Sequence, residues 1–133
     1  MDFTRRFFRK LLPKNIYSVL AVIVDSYYIL SKEGIKTLNI LNTKSSDIKE
    51  IKLKSLKLPF FFRQNQRDKE VIIQSLIRNE YGKKIDHAIH NGFIIDAGAY
   101  IGDVSCYFAS KYECKIIALE PNIDSFDIAK RNT

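Results

Sequence analysis

The stretch Phe93-Ile94-Ile95-Asp96-Ala97-Gly98-Ala99-Tyr100-Ile101-Gly102-Asp103 decides how this chain is read. Its first three residues form a short continuous apolar run, the pattern of a parallel strand buried on both faces. Two glycines then interrupt the chain. Behind them Val104, Tyr107 and Phe108 fall at helical spacing through about Lys111. A second apolar run, Lys115 to Leu119, ends at Glu120-Pro121-Asn122. Asp124 is placed to cap a further helix containing Phe126 and Ile128.

The order strand, glycine turn, helix, strand, acidic residue is that of the first βαβ unit of a Rossmann-like nucleotide site. Each part has a physical task. Gly98 lets the chain turn sharply at the strand end and brings bare backbone N–H groups close to a ligand. Gly102 lets the next helix start near that strand end, where its free N–H groups carry partial positive charge. Glu120 lies 18 residues beyond Gly102, and a carboxylate there can accept hydrogen bonds from both hydroxyls of a ribose. The turn reads G-x-x-x-G and lacks G-x-G, which fits pyrophosphate poorly and favours a ligand without phosphates. Asp96 reads either as a ligand contact or as a turn-capping residue.

Upstream, Asn65-Gln66-Arg67-Asp68 resembles a capping box with Asp in place of Glu. It opens a helix with apolar positions from Val71 to Tyr81, and Gly82 suits the helix end. Thr43 to Asp47 reads as a loop. From Ile48 to Leu58 apolar residues alternate imperfectly with Lys49, Lys52, Lys54 and Lys57, predicting a strand with one wet, basic face. Phe60–Phe62 reads as a second strand.

Residues 1–57 hold 12 Lys and Arg against 5 Asp and Glu, whereas residues 58–133 hold 10 of each. The formal charge of +7 therefore belongs to the first part, and the break near Lys57 divides a basic N-terminal region, 1–57, from a domain over 58–133. A protein that binds nucleic acid through its folded domain carries basic charge on that domain. No nucleic-acid partner is expected here. Cys106 and Cys114 are too few for a disulfide scaffold and lack neighbouring zinc ligands, so they read as small apolar residues in a reducing, cytoplasmic compartment.

The chain opens with Arg5, Arg6, Arg9 and Lys10 among Phe3, Phe7, Phe8, Leu11 and Leu12, followed by an apolar stretch from Ile16 to Leu30 that Asp25 breaks. A transmembrane helix needs about 20 apolar residues, and the uncharged run Ile16–Val24 is nine long. No small-residue cleavage site follows it, as a signal peptide requires. Two readings stay open. Residues 1–30 form an amphipathic helix on an anionic membrane or a partner, or an ordinary helix packed on the domain with its basic residues in water.

The segments FIIDAGAYIGDVSCYFA and KIIALEPNIDSFDIAKRN resemble the first two motifs of the FkbM family of S-adenosylmethionine-dependent methyltransferases. Phe62-Arg63, Asp68 and Glu80-Tyr81 are similar to that family's entry segment, and the likeness covers roughly residues 58–133. Tyr100 stands where Asn is commoner. The resemblance implies an α/β, Rossmann-like class I methyltransferase fold, here incomplete and preceded by a basic helical segment and short strands. It implies S-adenosyl-L-methionine as cofactor and O-methylation of a small-molecule or glycan hydroxyl. It assigns Asp96, Gly98, Tyr100, Gly102, Asp103, Glu120 and Asn122 to the cofactor, with Asp96, Gly98 and Gly102 around the methionine part, Glu120 on the ribose and Asn122 by the adenine.

In that family further strands follow the second motif and carry the acceptor pocket, so no catalytic base is assigned. His87 and His90 precede the motif and read as surface residues. The uncovered strands imply an oligomer or a complementing chain. Two competing classes remain: a nicotinamide-dependent oxidoreductase, disfavoured by the missing G-x-G-x-x-G, and a non-catalytic remnant or interaction module with a membrane- or partner-binding N-terminus.

Overall fold

A computed structural model of the chain describes residues 11–82 and 92–133, and within them it is a mixed α/β protein with five helices and two two-stranded sheets. Arg5, Arg6, Arg9, Lys10, His87 and His90 lie outside the described residues. Two helices come first, α1 over Lys14–Lys32 and α2 over Ile35–Asn42. Strand β1, Ile48–Ile51, then pairs antiparallel with β2, Phe60–Arg63, with Ile51 opposite Phe60. The pleat turns Ile51, Phe60 and Phe62 inward, where they are buried.

The basic strand is shorter than its alternation suggests. It ends at Ile51, and the chain from Lys52 to Lys57 turns back so that Leu53 is buried while its lysines face water. The composition break at Lys57 thus falls between two strands that pair with each other.

Asn65 caps α3, Gln66–Val71, by accepting the Asp68 N–H at 2.7 Å. Only half of a capping box forms, because the Asp68 carboxylate turns to Arg63 instead of back to the Asn65 amide. After Val71 the helix widens into a π-helical stretch, Ile72–Ile77, whose Ile72, Ile73, Leu76 and Ile77 are buried. The helix does not run to Gly82. Asn79 stops it in a left-handed conformation, φ +55°, which a short polar side chain tolerates. Gly82 has a different task, because a Cβ there would run into the Tyr107 hydroxyl and Asn79.

Strand β3, Phe93–Ala97, runs parallel to β4, Lys115–Leu119, and α4, Asp103–Lys111, connects them. Helix α5, Ile123–Asn132, follows, capped by the Asn122 side chain accepting the Ser125 N–H at 3.0 Å. Asp124, expected as the cap, lies inside the first turn instead; the chain leaves the strand early enough for Asn122 to take that position.

The two parallel strands are not buried on both faces. Ile94 and Ile116 pack on the core, whereas Phe93, Ile95 and Leu119 are 70%, 67% and 54% exposed. Helix α4 covers one face of this sheet, and no described element covers the other.

Asn132 ties the layers together at the end of α5. Its Oδ1 accepts the Phe61 N–H at 2.6 Å, and its Nδ2 donates to the carbonyls of Phe61 (2.9 Å) and Ile101 (2.7 Å). One side chain therefore fixes β2 and the glycine turn to the last helix.

Candidate functional site

Parallel pairing brings the C-terminal ends of β3 and β4 together, and the glycine turn grows out of that junction. The N–H groups of Gly98 and Ala99 both donate to the Leu119 carbonyl, at 2.8 and 3.0 Å. Gly98 has φ +86° and open space where a Cβ would project, so its dihedral requires glycine and its surface stays bare. Gly102, φ +78°, is the N-cap of α4, and a Cβ there would lie 3.4 Å from Ala129 on α5. It serves close packing of turn against helix.

Glu120 closes the turn. Its Oε2 accepts the Tyr100 N–H at 2.8 Å and its Oε1 accepts the Asn122 N–H at 2.9 Å. A carboxylate offers about four lone-pair sites, so each oxygen keeps one for a further donor. The two expected parts of the site, glycine turn and strand-tip carboxylate, are joined directly.

Beside this junction opens a cleft of about 750 Å³, within the range of small-molecule pockets. Of the seven residues assigned to the cofactor, Gly98, Tyr100, Glu120 and Asn122 line it; Asp96, Gly102 and Asp103 do not. Asp96 accepts the Ser105 hydroxyl at 2.7 Å, so its carboxylate steadies the first turns of α4. Asp103 is 4% exposed and accepts the Ser75 hydroxyl from the π-helical stretch. Burial pushes the Asp103 carboxyl up to about 6, with the Ser75 hydrogen bond opposing it and the nearby Asp96 charge adding to it.

Arg63 and Arg67 also line the cleft, with Asp68 bound to Arg63 behind it, and none of these three was among the residues assigned to the cofactor. Asp68 is fully buried, and its two oxygens accept four hydrogen bonds: the Arg63 backbone N–H at 2.8 Å, Arg63 Nε and Nη2 at 3.0 Å each, and the Tyr100 hydroxyl at 2.5 Å. The guanidiniums of Arg63 and Arg67 lie 5.3 and 5.1 Å from the centre of the Tyr100 ring. Burial, and then the bond to Asp68, push the Tyr100 hydroxyl up to about 12, so it stays protonated and donates. Hydrogen bonding to Asp68 holds the Arg63 guanidinium more firmly charged than usual.

Tyr100 itself takes φ +51°, a conformation an aromatic residue rarely adopts. Its ring is held there from outside the turn, by Asp68 and the two arginines. Arg67 is exposed and has no carboxylate partner among the described residues. Sequence signals for this wall existed only as the recurrence of Arg63 and Asp68 in the entry segment. Nothing local links them to Tyr100, 32 residues beyond Asp68.

A second groove, about 620 Å³ between α1, α2 and α3, contains none of the residues assigned to the cofactor. No group of three His, Cys, Asp or Glu side chains among the described residues is arranged to hold a metal ion. Comparison of the chain with protein-family models, with curated proteins and with solved structures found no match.

Proposed function

We propose that this chain is the cofactor-binding part of a Rossmann-like, FkbM-type methyltransferase, with S-adenosyl-L-methionine in the cleft at the ends of β3 and β4. The acceptor class is a small-molecule or glycan hydroxyl. The observation that carries the reading is the Glu120 carboxylate, anchored on the Tyr100 N–H at 2.8 Å beside the bare Gly98 turn and still able to accept from two ribose hydroxyls.

The residues present fit such a ligand. Glu120 offers acceptors for the sugar, and the open surface at Gly98 admits a chain close to the backbone. Arg67, which has no carboxylate partner among the described residues, offers a cation for the amino-acid carboxylate. The cofactor supplies a sulfonium methyl group for in-line transfer to a nucleophile. Glu120, Gly98 and Arg67 act by binding and orientation, which can lower a barrier by several kcal/mol when reactants are held in line. Transfer to a hydroxyl also requires removal of its proton, and none of the cleft residues is assigned that task.

Isothermal titration of S-adenosylhomocysteine into the full chain tests the reading. Binding is expected, and Glu120→Ala is expected to weaken it by about 1–3 kcal/mol through loss of charge-assisted hydrogen bonds. Binding of NAD but not S-adenosylhomocysteine would point to the nicotinamide class. Binding of neither would favour the non-catalytic interaction module, a reading supported by the exposed Phe93, Ile95, Ile117 and Leu119 on the parallel sheet. Unchanged affinity in Glu120→Ala would remove that residue from the site.

A further inference from the structure

Charge on α1 lies on the side that faces the protein. Beyond its first turn the helix has two charged residues, Asp25 and Lys32. Asp25 pairs with Arg78 at 3.4 Å, and Lys32 Nζ donates to the Ile77 carbonyl at 2.7 Å. Ile29, on that same side, is buried. The outward side carries Ile16, Val19, Leu20, Ile23, Tyr27 and Leu30, each between 43% and 68% exposed. They recur every three or four residues and so form one stripe along the helix. The helix is amphipathic in the sense opposite to that of an ordinary surface helix.

Single exposed apolar residues are normal, but a continuous stripe marks a surface that meets something apolar. No helix among the described residues is long and apolar enough to cross a membrane, so the stripe does not span one. A second copy of the chain would bring together two segments that each hold 12 basic and 5 acidic residues over positions 1–57. An anionic surface complements that charge. Arg5, Arg6, Arg9 and Lys10, interleaved with Phe3, Phe7 and Phe8, precede the helix in the sequence, with Leu11, Leu12 and Pro13 between. Such a sequence places cations at lipid headgroups and rings at the acyl boundary. Tyr27, with an apolar body and a polar tip, suits the same depth.

We propose that α1 docks this chain in-plane on an anionic bilayer, with the stripe from Ile16 to Leu30 against the acyl boundary and the basic N-terminal residues at the headgroups. The proposal is independent of the cofactor reading.

The test uses the full chain with vesicles of phosphatidylcholine alone and of phosphatidylcholine with phosphatidylserine. The protein has no tryptophan, so Tyr27→Trp introduces a single reporter on an exposed position. Its emission is expected to shift to the blue with anionic vesicles, and the chain to sediment with them. The triple variant Val19→Asn, Ile23→Asn, Leu30→Asn, outward-facing throughout, is expected to lose partitioning by at least about tenfold. An unshifted Tyr27→Trp emission overturns the proposal, and this readout holds even where the triple variant folds poorly. So does equal sedimentation of wild type and a folded triple variant, or equal binding to vesicles without phosphatidylserine. A dimer in sedimentation equilibrium that the triple variant dissolves would assign the stripe to a second copy instead.

Discussion

Asp103→Asn should make the protein more stable at neutral pH and leave it unchanged in acid. The wild-type carboxyl is 4% exposed, and the Ser75 hydroxyl is its side-chain hydrogen-bond partner. Among the described residues no cation pairs with it. Burial raises its pKa from 3.8 to about 6. The sign follows from proton linkage. The folded state holds this proton more tightly than the unfolded chain, so the site is best tolerated below about pH 4. Stability drains as pH rises through about 6.

A difference of about 2 between the two pKa values, at ~1.4 kcal/mol for each, comes to about 3 kcal/mol at neutral pH. Asparagine keeps the shape and can still accept from Ser75, but it carries no charge to bury. Urea denaturation of both proteins from pH 3.5 to 8 reads the effect directly. The stability difference is expected near zero at the acid end, rising to about 3 kcal/mol in favour of the variant by pH 7–8. In thermal melts that corresponds to roughly 10 °C, at about 3–4 °C per kcal/mol for a chain of this size. Parallel curves across the range would refute the reasoning. A variant less stable than wild type at pH 7 would show that Asp103 is ionised and favourably partnered in the fold.

The wall of the cleft gives two further expectations. Tyr100→Phe keeps the ring beside the two arginines but strips the buried Asp68 carboxylate of one of its four donors, and should cost about 1–3 kcal/mol in urea denaturation; a change under about 0.5 kcal/mol would mean that Arg63 alone satisfies Asp68. Arg67→Gln should weaken S-adenosylhomocysteine at least about fivefold while leaving 5′-methylthioadenosine, which lacks the amino-acid carboxylate, unchanged; equal losses for the two ligands in calorimetry would show that Arg67 does not meet that carboxylate.

Much of what positions the candidate site is local and was therefore legible. The runs Phe93–Ile95 and Lys115–Leu119 are strands, Asn65 is an N-cap, and Gly98 and Gly102 take left-handed φ values. Each depends on a few neighbouring residues whose backbone preferences agree. Local rules also failed locally where two residues competed for one task. Asn122 rather than Asp124 caps α5, and Asn79 rather than Gly82 ends the long helix, because either residue type satisfies the rule and chain geometry selects one.

Periodicity alone told that α1 has an apolar side, and charge alone told that the N-terminal region is basic. Neither told which side faces outward; that was decided by Arg78 and the Ile77 carbonyl, which draw Asp25 and Lys32 inward from 53 and 45 residues away. The same holds for Asp68 gripping Tyr100 and for Asn132 joining Phe61, a pair separated by 71 residues. A buried polar group must find a partner, but the sequence leaves that partner open. Only packing sets which donors and acceptors arrive within hydrogen-bonding distance once the chain has closed its long loops.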